Sequence, residues 1–189
     1  MISGVQLVEY LLVKYGPLPQ KNLHKLVYLS EIQYIKKHGE RLSDLSFKRY
    51  NFGPYSDDIK NIEDLDENIV INEASNGIFQ VKLSRIVNEE VVKPIEDIDL
   101  QNEIDSLLIP YKDKSAEELE EESDKTEPLL ETETIGEKID LDGYAWYYNK
   151  INSDEFWEEV IKKDEYNKNH NVYGKFIIRE NSKLDSQFS

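Results

Sequence analysis

Apolar side chains recur at helical spacing along the start of the chain, where Val5, Val8, Leu11, Leu12 and Tyr15 share one face. Ser3-Gly4-Val5-Gln6 has the form of a capping box, so a helix is predicted to begin there. Gly16-Pro17-Leu18-Pro19 stops it, and Pro19 suits the first turn of the next helix. That second helix runs to about Lys37, with Leu23, Leu26, Val27, Leu29, Ile32 and Ile35 over an arc broad enough to imply burial on more than one side. His38-Gly39 ends it. Two helices joined by so short a turn form a helix–turn–helix candidate. Leu45 to Phe52 alternates with period two and reads as a short strand, broken by Gly53-Pro54. Tyr55, Ile59, Ile62 and Leu65 then define one stripe of a third helix, with Asp57 and Asp58 near its positive end. Ile69-Val70-Ile71 and the run from Ile78 to Leu83 flank Asn76-Gly77, a hairpin signal because both turn residues tolerate positive φ.

The character changes from Val91. Ile98, Ile104, Leu107, Leu108 and Tyr111 predict a helix ending near Pro110. Ser115-Ala116-Glu117-Glu118 is a second capping box, opening a short acidic helix that ends near Ser123. Glu127 to Asp142 shows little periodicity and reads as a loop. Tyr144 to Tyr148 is an aromatic cluster, and Ser153 caps a helix carrying Phe156, Trp157, Val160 and Ile161. Phe176-Ile177-Ile178 reads as one further strand, and the last ten or so residues as a disordered tail. The expected fold is therefore α+β, mainly α: a helix–turn–helix core with a short strand and a β-hairpin wing, then an acidic helical C-terminal region. Three segments are expected: a module over 1–88, an acidic helical extension over 89–130 packing on it, and an aromatic-acidic region over 131–189.

Charge narrows the choice of partner. The net charge of −16 is uneven: residues 1–86 carry eleven Lys/Arg and eleven Asp/Glu, whereas 87–189 carry twelve and twenty-eight. The second half would repel a nucleic acid, whose binding rests largely on Lys/Arg at phosphate. DNA binding through the neutral first half stays open but disfavoured. Lys48, Arg49, Lys60, Lys82 and Arg85 are the residues that would make its basic face, with solvated surface charge as the plainer reading. Absence of Cys excludes disulfides and thiolate zinc sites. No basic segment followed by an apolar run opens the chain, and its apolar runs fall far short of the roughly 20 residues that span a bilayer. A cytoplasmic location, with no membrane partner, is the expectation.

Asn22-Leu23-His24-Lys25-Leu26-Val27-Tyr28, followed by Phe47-Lys48-Arg49-Tyr50-Asn51-Phe52-Gly53-Pro54-Tyr55, resembles the Panacea domain, also called the SocA-like antitoxin domain, and winged-helix-like relatives. That family's pattern is a helix reading L-x-K-L-x-Y, a polar connection, then Gly-Pro before another helix. The matching positions are Leu23, Lys25, Leu26, Tyr28, Gly53 and Pro54. Ser115 to Leu119, with Ser123 and Pro128, is similar to a later S-x-x-x-L helix of the family, although Asp124 and Leu129-Leu130 stand where the family usually has His and Trp. The resemblance covers about 5–85 well and 98–130 loosely. It implies an antitoxin that binds and holds inactive a co-encoded toxin, a task that needs a surface rather than a catalytic group.

The inventory of chemical groups points the same way. His24, His38 and His170 lack the short spacing that sets two imidazoles on one helical face for a metal. His24 reads as a packed or surface side chain. No phosphate-binding Gly loop and no Gly-x-Ser-x-Gly elbow occurs. No enzyme and no cofactor is expected. Gly53-Pro54 reads as structural, with Gly permitting an unusual φ and Pro presetting the next helix. Tyr28 reads as packing beneath the wing, and Lys25 as either a polar break in an apolar helix or a partner contact. Lys25, Arg49, Tyr147 and Trp157 are the candidate partner-binding residues, since Tyr, Trp and Arg anchor interfaces. The alternative is a winged-helix transcriptional regulator.

Overall fold

Ser3 Oγ accepts the Gln6 N–H at 3.1 Å and Gln6 Oε1 accepts the Ser3 N–H at 3.0 Å, so α1 (Gly4–Tyr15) begins at its capping box. The computed structural model describes residues 1–74, 77–84 and 94–169, with side chains through 163. Arg85, Asn76, the expected strand at Phe176 and the tail lie outside the described residues. Leu7, Val8, Leu11 and Leu12 of α1 are buried. Gly16, at φ +75°, ends it.

Leu18–Pro19 is not helical but a two-residue strand, β1, and Pro19 is the residue before α2 (Gln20–His38) rather than its first turn. α2 is buried on nearly every side: Leu23, Val27, Tyr28, Leu29, Ile32 and Ile35 face the core, and the polar His24, Lys25, Ser30 and Glu31 are buried too. A Cβ on the helix-ending Gly39 would also come within 2.3 Å of the Asn149 backbone. The carboxylate of Glu31 accepts from the backbone N–H of Leu42 and Ser43, the Ser43 hydroxyl and Arg41 Nε, fixing the loop after α2.

Gly53 and Pro54 form part of a strand instead of breaking one: β2 (Lys48–Tyr50) and β3 (Gly53–Tyr55) pair antiparallel, with Arg49 opposite Pro54. Arg49 turns its backbone away from β3, donating to the Glu137 carbonyl and accepting from the Gly136 N–H. The position across from it therefore needs no donor, and a proline fits. The expected third helix is split into α3 (Asp57–Lys60) and α4 (Ile62–Leu65), with Tyr55 left in β3. Gln20 Nε2 donates to the Ile59 and Lys60 carbonyls at 3.3 and 3.2 Å, replacing bonds that a continuous helix would make itself. β4 (Ile69–Glu73) and β5 (Phe79–Leu83) form the expected hairpin, and the sheet order is β1-β5-β4.

Asp97 caps α5 (Ile98–Leu108), whose Ile104 and Leu108 are buried while Ile98 is exposed. Ser115 and Glu118 close the second capping box at the start of α6 (Ala116–Asp124). Both helices pack on α2. The stretch Glu127 to Asp142 is not a plain loop. It contains α7 (Glu127–Glu131) and an extended run bonded to β2, and it buries Pro128, Leu129, Thr132, Ile139 and Leu141. One helical turn followed by a single extended run is too short for either period to register. α8 (Leu141–Ile151) follows. The fold is thus α+β and mainly α, with a small sheet.

Chain contacts set a first compact unit at Met1–Asn149 and begin a second at Lys150. Within the second, the Phe156 N–H bonds Ser153 Oγ at the start of α9 (Asp154–Asn169), and Trp157 Nε1 donates to the Ile151 carbonyl at 2.7 Å. Among the described residues no helix is long and apolar enough to cross a membrane.

Candidate functional site

α2 places Lys25 and Tyr28 about one turn apart, both facing inward. Lys25, 3% exposed, donates to the Ala116 carbonyl at 2.9 Å and to Glu120 Oε2 at 2.8 Å. The Tyr28 hydroxyl pairs with Thr126 Oγ1 at 2.8 Å, its ring edge-on to Phe47, and burial raises the hydroxyl above its ordinary pKa. Thr126 in turn donates to the Ser123 carbonyl. Lys25 therefore holds the first two turns of α6, and Tyr28 holds the turn that follows it, through Thr126. Leu23 and Leu26 belong to the core.

Gly53 lies beside this clamp at φ +95°. A Cβ there would sit 3.8 Å from Lys25 Cε and 3.9 Å from Asp124 Oδ1, ordinary contacts, so the backbone angle and not space calls for glycine. Pro54 sits in β3, with Ser56 between that strand and α3, so it does not preset a helix. Asp124 has its carboxyl pKa raised by burial and by Glu120, against the lowering pull of Arg49 and Lys25. Arg49 Nη1 donates to the Leu129 carbonyl at 2.6 Å. Lys25 and Arg49 are thus engaged inside the fold. Tyr147 and Trp157 are each 43% exposed, in α8 and α9 respectively.

Of the basic face, Lys48 is paired with Asp57 at 2.5 Å, and Lys82 is exposed on β5. His24 is packed: its ring stacks on Tyr55 at 4.8 Å and its Nδ1 accepts the Ser56 N–H at 3.1 Å. Burial, then the neighbouring Lys25, pushes its pKa down to about 4. Its proton at neutral pH therefore sits on Nε2. Among the described residues, no group of three or more His, Cys, Asp or Glu could hold a metal ion.

The sequence reading singled out none of Tyr50, Phe52 and Phe79, which are 50%, 63% and 50% exposed, and it took Trp146, 63% exposed, only as part of the aromatic cluster. Trp146 was findable, because burying Tyr144 and Tyr148 four residues apart turns position 146 outward. Tyr50 and Phe52 had a weaker signal, a Phe in a turn where Gly, Asn or Asp is the usual choice.

The family described as "Antitoxin SocA-like, Panacea domain" matches this chain over residues 23–129, more than half its length. The matched span takes in the clamp, both hairpins, α5 and α6, and extends through the region where the sequence resemblance is loose. No curated protein and no solved structure matches the chain.

Proposed function

The chain belongs to the SocA-like Panacea antitoxin family, and from that premise we propose that it neutralises a co-encoded toxin in the cytoplasm by direct protein–protein binding, without catalysis. The family match carries this reading. Two features support it: exposed aromatic side chains of the kind that anchor interfaces, and an acidic second half that speeds encounter with a basic protein. In this reading segment 1–88 supplies the scaffold and 89–130 braces it through the Lys25–Tyr28 clamp. Region 131–189 contributes partner choice through Tyr147 and Trp157. Lys25 and Arg49 act as positioning residues.

One observation favours the regulator alternative. The order α1-β1-α2, then α3 and α4, then the β4–β5 hairpin, with β1 on β5, is similar to a winged-helix order, with the β2–β3 hairpin inserted after α2. The helical turns before that hairpin carry Asp57, Asp58, Glu63 and Asp64 against Lys60, the wrong charge for a major groove. The test is size-exclusion co-migration of the chain with the product of the adjacent gene, beside a duplex-DNA gel shift at about 0.15 M salt, where charges are screened over roughly 8 Å. Co-migration that Trp157→Ala and Tyr147→Ala weaken supports the antitoxin reading. Nanomolar sequence-specific DNA binding without co-migration replaces it.

A further inference from the structure

The β2–β3 hairpin presents aromatic surface that the fold itself does not use. Phe47, Gly53 and Pro54 of this stretch are buried, yet Tyr50 and Phe52, on either side of Asn51, stand half or more in solvent. They are not loosely held. Tyr50 stacks on Tyr55 with ring centroids 5.2 Å apart, and Tyr55 stacks on the buried His24 at 4.8 Å, so three rings run from core to surface. A stack anchored at one end and half exposed at the other is a preordered platform, whose side chain has little rotamer freedom left to lose on binding. The neighbouring ring displays its preference already: Lys21 Nζ lies 5.4 Å from the Phe52 centroid, a cation over an aromatic face. At the base of the hairpin, Lys48 pairs with Asp57 at 2.5 Å.

We propose that the Tyr50–Phe52 tip of this hairpin is a docking point for an arginine side chain of a basic protein partner, stacked on the exposed part of the Tyr50 ring. Charge selects the occupant. A nucleobase could also stack there, but it brings phosphates toward a compact unit, residues 1–149, in which 31 Asp/Glu outnumber 16 Lys/Arg. A planar guanidinium stacks on an aromatic face and is attracted by the same field; a lysine ammonium is more strongly hydrated and stacks less well. The tip also lies within residues 23–129, the span shared with the family, whereas Trp146, Tyr147 and Trp157 lie beyond it. This inference rests on the protein-partner reading and adds to it a second contact, within the matched span.

The test uses the full chain with three labelled probes: a nona-arginine peptide, a nona-lysine peptide and a single-stranded oligonucleotide, read by fluorescence anisotropy at about 0.15 M salt. The arginine peptide is expected to bind more tightly than the lysine peptide. Tyr50→Ala should lower arginine-peptide affinity about three- to fivefold, the size of an exposed cation–π contact. The lysine peptide should be nearly unaffected, and Tyr50→Phe should retain the preference. Circular dichroism checks that the variants are folded. Equal binding of the two peptides, or an arginine preference that survives Tyr50→Ala, overturns the proposal. Oligonucleotide binding that Tyr50→Ala abolishes overturns it in favour of a nucleic-acid partner. Growth rescue tells the two readings apart. If rescue persists while the arginine preference is missing, the docking point fails and the antitoxin reading stands. If the preference holds but the neighbouring gene is harmless, the reading fails and the surface stands.

Discussion

His24 and Glu9 set opposite pH dependences on the same fold. The folded pKa of His24, about 4, lies below the ordinary 6.5, so between those values the unfolded chain binds a proton that the native chain does not. Stability therefore falls as pH drops from about 6.5 toward 4, by about 3 kcal/mol for the whole shift. Glu9 is pushed up to about 7 by burial, then by a hydrogen bond and repulsion from Asp66. Its contribution is fully present below 4.5 and is lost as pH rises through 7. Glu9 is only partly buried, so solvent screening makes its effect smaller than the nominal shift. Over pH 4.5–6.5 the two oppose each other, and variants separate them. Glu9→Gln should raise the urea midpoint at pH 8 and leave it nearly unchanged at pH 4.5. His24→Asn, which can keep an acceptor for the Ser56 N–H, should flatten the acid limb. A Glu9→Gln gain that is equal at both pH values would mean the carboxyl pair shares no proton.

At the scale of elements, Lys25 and Tyr28 hold α6 against α2. Tyr28→Phe removes one buried hydrogen bond and is expected to cost about 1 kcal/mol. Lys25→Met leaves the Ala116 carbonyl and Glu120 without their partner. Its mark should be faster amide exchange in Leu119–Ser123 than in α1. Uniform loss of protection across both helices would deny α6 a separate clamp. These elements differ in how far the sequence betrays them. Capping boxes at Ser3 and Ser115 and the αL glycine after His38 are local, and they place α1, α6 and the end of α2 correctly. The failures depend on distant partners. Gln20 splits the third helix, Glu137 lets a proline into β3, and Phe47 and Arg49 bond the backbone of the aperiodic stretch after Glu127. The site divides the same way. Tyr147 and Trp157, which residue type alone suggested, are exposed. Lys25 is engaged inside because Glu120, ninety-five positions away, takes its charge.

For the whole molecule, an acidic second half and a neutral first half make a protein partner the better match than a polyanion. Truncation after residue 88 is a poor way to expose a DNA-binding face, because it deletes α5 and α6, both packed on α2. Removing residues 150–189 instead deletes the second compact unit, with Trp157, and leaves Met1–Asn149 whole. That truncated chain should keep a cooperative thermal transition while losing part of its toxin neutralisation. Growth on inducing the adjacent gene, alone and together with this chain, is the decisive measurement of toxin neutralisation. The neighbour alone should arrest growth, the intact chain should restore it fully, and Trp157→Ala should restore it only in part. A neighbour that does no harm when expressed alone, or arrest that the intact and folded chain fails to relieve, would contradict that role.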